Sequence, residues 1–295
     1  MSIISEMLGC RYPVIQGAMG VISNPELVSA VSEAGGFGQL ATAFATDPAP
    51  VREQIRATRK LTDKPFGANL HAMNPLAPQF VQVMAEEGIR AVTVSGGSPK
   101  ELVPLLREHG IKVIVVVPAV NVARKAESLG VDAIVAEGSE SGGMQGFNGA
   151  STLVLVPAVA DAVKVPVIAA GGIGDSRGYN AAFALGAQGV QIGTRFIATK
   201  ECIAHANYKN GIIDSPENST RLVNMGRFQV RALNTPLVEE MKEGVNSLDS
   251  SAGSSLEEAW VKGDLNAGTL PAGQISGLIS RIASVSEVIE EMVSS

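Results

Sequence analysis

Short apolar runs alternate with amphipathic stretches along most of the chain. Apolar, β-branched-rich runs fall at 14–16, 38–41, 66–70, 91–94, 112–117, 133–136, 167–170 and 189–192. Some, such as VIVVV and PVIAA, are apolar at successive positions. That pattern suits parallel strands covered on both faces. Between the runs, apolar positions recur at helical spacing. Asn24-Pro25 marks a helix start and Gly35-Gly36 its end; Ser98-Pro99 and His109-Gly110 bracket another. Asp175 or Ser176 caps a further helix that Gly186 closes. Eight strand–helix beats in succession predict a (β/α)8 TIM barrel. A doubly wound open sheet fits less well, because no GxGxxG turn follows the first strand.

The eighth strand is not followed directly by its helix. Residues 199–271 are richer in Asn, Ser, Glu and Gly and read as an insertion of two or three helices, for example over 201–209 and 236–245. Residues 272–295 return to a helical pattern broken near Ser284. The expected organisation is therefore a barrel made of 1–198 and 272–295, with a helical insertion that shapes a substrate site.

Composition narrows the function. The chain has 295 residues, 45% hydrophobic and 18% charged, which excludes a disordered chain. The net charge of −6, without a basic patch, argues against a nucleic-acid partner. No apolar run is long enough to span a bilayer, and no basic-then-apolar leader opens the sequence. Two cysteines without ligand spacing point to no metal and to a reduced, cytoplasmic protein. Gly is abundant (32 residues), so where the glycines fall matters.

Many fall at strand ends. Gly171-Gly172 follows the seventh run and Gly193-Thr194 the eighth, where barrels often bind phosphate. Gly lets backbone N–H groups approach an anion. Gln16-Gly17-Ala18-Met19, after the first run, leaves backbone against which a flat ring can lie. Asn69 ends the third run as an amide partner for such a ring, or as a cap. Glu137 ends the sixth, ahead of the glycine-rich loop 137–149 with Gly142 and Gly143.

Taken together, YPVIQGAMG, DKPFGANL, GVDAIVAEGSESGG, VPVIAAGGIGD and GAQGVQIGTRFIATKE resemble the nitronate monooxygenase (2-nitropropane dioxygenase) family of FMN-dependent barrels. TKECIAHANYK and AGQISGLIS look closest to its class II enoyl-acyl carrier protein reductases. The resemblance implies FMN held by Gln16, Gly17, Ala18, Met19, Asn69, Glu137, Gly142, Gly143, Gly171, Gly172, Gln191, Gly193 and Thr194. In the reductase branch it implies NADH or NADPH as reductant and a small-molecule or acyl-thioester substrate. In the monooxygenase branch it implies alkyl nitronates and O2. It also implies a homodimer.

One position departs from the pattern. The family's catalytic His follows the Gly-Gly of the strand-six loop; this chain has Met144 there. A thioether has no titratable proton. The proton then comes from water, from His71 near Asn69, or from Tyr208. Otherwise the chemistry is hydride transfer alone or is largely lost, and Met144 fills an apolar pocket.

Overall fold

The computed structural model describes residues 2–146, 149–226, 228–242 and 252–294. Its strands are β1 (Val14–Gln16), β2 (Gly38–Ala41), β3 (Phe66–His71), β4 (Ala91–Ser95), β5 (Lys112–Val117), β6 (Ala133–Glu137), β7 (Gly143–Gln145), β8 (Val167–Ala170), β9 (Gly189–Ile192), β10 (Thr220–Asn224) and β11 (Gln229–Leu233). Eight of them form one parallel sheet in the order β1-β9-β8-β6-β5-β4-β3-β2. Its two ends meet where the Phe37 N–H donates to Val14 O (2.8 Å) and the Gln16 N–H to Phe37 O (2.9 Å). The result is a nearly closed (β/α)8 barrel, with every expected strand in place.

Successive strand residues face opposite sides, and this splits the core in two. Val14, Ile134, Ala136, Val167 and Ala169 face the surrounding helices. Ile15, Ala133, Val135, Ile168 and Ala170 point inward. The helix Ile3–Leu8 contributes Ile4 and Leu8 to this inner cluster and plugs one end of the barrel. The inward parity continues at the other end as Gln39, Asn69, Thr93, Ser95, Glu137 and Gln191, so the barrel is apolar low and polar high.

Helix signals are met closely in several places. Pro25 opens the helix Pro25–Glu33, and Asp175 accepts from the Arg177 and Gly178 N–H groups to cap Ser176–Ala184. Other boundaries shift. The helix after Ser98-Pro99 begins at Leu102, and the one expected over 201–209 runs Ala206–Ile213, capped by the His205 ring. The helix expected over 236–245 is seen as Pro236–Lys242, with 243–245 outside the described residues. In the tail, Gln274–Leu278 is a short 3-10 turn, and Ser284 is the N-cap of Val285–Val293 through a capping box.

The insertion departs from the helical expectation. It contains an antiparallel hairpin, β10–β11, whose β11 also pairs with β7. TRLVN does not alternate apolar and polar residues and QVRAL does so only over its first four positions, so no period-2 signal marks the hairpin in the sequence. The loop after β6 is therefore partly strand; its residues 147 and 148 lie outside the described set.

Candidate active site

The polar ends of the barrel strands open into a cavity of about 670 Å³, within the range of small-molecule sites. Its walls include Gly17, Ala18, Met19, Asn69, His71, Glu137, Gly142, Gly143, Met144, Gly171, Gly172, Gln191, Gly193 and Thr194. Thus a single site gathers every residue singled out from the sequence except Gln16. That side chain is wholly buried behind the wall. Its Nε2 donates to Ser23 Oγ (3.0 Å) and Gly17 O (3.0 Å), and its Oε1 accepts from the Gln39 N–H (3.2 Å). Gln16 therefore shapes the Gly17 turn and does not face the cavity.

A line of hydrogen bonds crosses the floor. Asn69 Nδ2 donates to Thr93 Oγ1 (2.8 Å), Thr93 Oγ1 to Gln39 Oε1 (2.7 Å), and Gln39 Nε2 to Gln191 Oε1 (3.4 Å). Four strands are thereby tied by side chains whose orientations fix one another. Thr93 and Gln39 escaped the sequence reading. Their signal is positional: each is a polar residue at an inward-facing position within a mostly apolar barrel strand.

The glycine rim is backbone-lined. Gly171 (φ +94°) and Gly172 (φ +71°) adopt conformations that side chains resist. Gly142 is needed for another reason: a Cβ there would lie 2.6 Å from the backbone of Ala272. The tail crosses at this point, with the Gln274 N–H donating to Glu140 O (2.9 Å) and the Gly273 N–H to Thr194 Oγ1 (2.9 Å).

Above the floor the walls turn apolar. Met144, on β7 opposite Val230 of β11, joins Met225, Phe228 and Val230 in facing the cavity. Arg231 ties this hairpin to the strand-six loop, its Nε donating to Ser139 O (2.8 Å) and its Nη1 to Thr220 Oγ1 (3.2 Å). Phe44 meets Trp260 edge-on at 6.5 Å, and the Trp260 Nε1 donates to Thr269 O (2.8 Å).

Among the described residues, the cavity's titratable side chains are Glu137, His71 and Tyr208, with no Lys or Arg. Burial lifts the Glu137 carboxyl from 4.5 to about 7, opposed in part by a bond to Ser141. Burial lowers the His71 pKa, which favours the neutral ring. That ring packs against Gly96, where a Cβ would sit 2.0 Å from its Nε2. The Tyr208 hydroxyl donates to Pro271 O, and burial raises its pKa well above 10. The described residues hold no His/Cys/Asp/Glu cluster fit for a metal, and no helix among them is long and apolar enough to cross a membrane.

A parallel barrel with a glycine-rimmed cavity at the C-terminal strand ends has the architecture of a small-molecule enzyme. The chain belongs to the nitronate monooxygenase family, whose model matches residues 1–295, and it is an oxidoreductase. FabK from Thermotoga maritima superposes with a TM-score of 0.93 at 39% identity, over 99% of this chain and 95% of that one. A 5-hydroxy-7a-methyl-1-oxo-octahydro-1H-indene-4-carboxyl-CoA dehydrogenase from Rhodococcus jostii is 31% identical over 98% of this chain and 94% of its own length. A probable nitronate monooxygenase from Staphylococcus saprophyticus is 32% identical over 81% of this chain and 80% of its own length.

Proposed function

We propose that this protein is an FMN-dependent oxidoreductase that uses NADH or NADPH to reduce an activated C=C bond, foremost that of an enoyl thioester. The observation that carries the reading is the two-sided cavity, bare glycine backbone and amides below and an apolar roof above. The likeness to FabK and the thioester in the name of the Rhodococcus relative support it.

The residues suit FMN. Gly171, Gly172, Gly193 and Thr194 would hold the phosphate through N–H groups, since the described wall offers no cation. Asn69 and Gln191 would meet the ring's polar edge, Gly17–Met19 its face, and Glu137 the ribityl hydroxyls. When bound, the flavin supplies hydride transfer between the nicotinamide and the acceptor. Met144 and the residues Met225, Phe228 and Val230 around the hairpin give the cavity an apolar wall with no titratable proton. Tyr208 has committed its hydrogen to Pro271, so the proton that completes the reduction comes from solvent or through His71.

The protein should purify yellow, bleach anaerobically with NADH or NADPH, and regain colour with an enoyl thioester. Failure of both nucleotides to bleach it refutes the reading. The family's description favours a second reading, nitronate oxidation with O2. Oxygen uptake with alkyl nitronates and no nucleotide distinguishes it. The buried free thiols of Cys10 and Cys202 suit the cytoplasm. The helix Thr152–Ala160 carries no charge and exposes Leu153 (68%) and Val154 (60%), which favours a homodimer.

A further inference from the structure

Thr152 lies just outside the cavity, at the start of the helix Thr152–Ala160, and is 93% buried (7% exposed). Its N–H donates to both carboxylate oxygens of Glu140 (2.9 and 2.8 Å). Its hydroxyl lies 2.9 Å from Gly171 O, 3.0 Å from Glu140 Oε2 and 3.2 Å from Ala170 O. A hydroxyl has one hydrogen and donates to one acceptor at a time. The carboxylate already has the Thr152 N–H, and Gly171 O is the nearest acceptor.

The consequence follows from peptide geometry. The described chain has no cis peptide bond. In a trans peptide the C=O of one residue and the N–H of the next point in opposite directions. Thr152 does not line the cavity, whereas Gly171 and Gly172 do. Drawing the Gly171 carbonyl toward Thr152 therefore turns the Gly172 N–H toward the cavity. That N–H has no hydrogen-bond partner among the described residues. An unpaired N–H on a cavity wall is a donor waiting for a ligand.

We propose that Thr152 is a positioning residue for anion binding: it holds the Gly171 carbonyl behind the barrel wall and so aims the Gly172 N–H at the phosphate of the flavin nucleotide. Glu140 fixes Thr152 for this task and, through its own carbonyl, anchors the tail at Gln274. The inference rests on the FMN reading.

The test titrates FMN and riboflavin, which lacks the phosphate, into flavin-free wild type, Thr152→Val and Thr152→Ser, following flavin fluorescence. Thr152→Val should weaken FMN by about tenfold, the scale of one charge-assisted hydrogen bond, and riboflavin by less than about twofold. Thr152→Ser keeps the hydroxyl and should restore FMN binding to within about twofold of wild type. Unchanged FMN affinity in Thr152→Val overturns the proposal. So does an equal loss for both flavins, which marks a merely structural role. If Thr152→Val does not fold, Thr152→Ala takes its place with the same readings. A wild type that binds neither flavin overturns the FMN reading itself.

Discussion

Exchange of Glu137 for Gln isolates the one carboxyl on the described cavity wall. The carboxyl rises from 4.5 to about 7 because the surrounding protein desolvates it. At ~1.4 kcal/mol per unit, the fold bears about 3 kcal/mol for ionising it. Below pH 4.5 both folded and unfolded chains keep the proton, and there is no cost. Between pH 4.5 and 7 the unfolded chain releases the proton and the fold retains it, so stability falls as pH rises. Above pH 7 the penalty is complete. Glutamine has the same shape and no titration. Urea denaturation of the flavin-free protein from pH 4 to 9 should show Glu137→Gln gaining on wild type through this window. The gain should level off above pH 7 at about 1–3 kcal/mol, the lower end allowing for relaxation around the charge. A gap that stays flat with pH, or one that favours wild type as pH rises, refutes the argument.

Other outcomes follow from single contacts. Gly172→Val, at φ +71° on the rim, should cost about 1–2 kcal/mol in strain and abolish FMN binding, read by melting and flavin retention. Arg231→Met removes the partner of Ser139 O and Thr220 Oγ1; it should destabilise by about 1–3 kcal/mol and speed amide exchange in β10–β11. Met144→His introduces a titratable ring on β7; enoyl-thioester turnover should rise by roughly tenfold or more, on the scale of general acid–base catalysis, with a new pH dependence near 6.5. No change in that rate profile shows that Met144 is not what limits the chemistry.

Much of the barrel was legible because its strands carry a local signal. Runs such as VIVVV in β5 and VIAA in β8 need no distant partner to announce burial on both faces. The hairpin was not legible. TRLVN and QVRAL are short, and what makes them strands is pairing with each other and with β7. The site followed the same division. Gly171 and Gly172 stand out as a glycine pair after an apolar run, whereas Gln39 and Thr93 look like ordinary polar residues within their strands. Gln16 sits beside the turn that the sequence marks, yet parity turns it away from the cavity into a bond with Ser23.

By itself, the sequence determined the eight strands, the family and the strand-end glycines that line the cavity. These depend on local periodicity and on residues that keep their chemistry wherever they fall. Only the tertiary structure decided which polar groups converge and what each one does. It tied Asn69 through Thr93 and Gln39 to Gln191, gave the Tyr208 hydroxyl to Pro271, and paired Met144 with a hairpin from far along the chain. The physical reason is that a hydrogen bond or a desolvated carboxyl depends on neighbours in space. In a closed barrel, those neighbours come from strands remote in the chain.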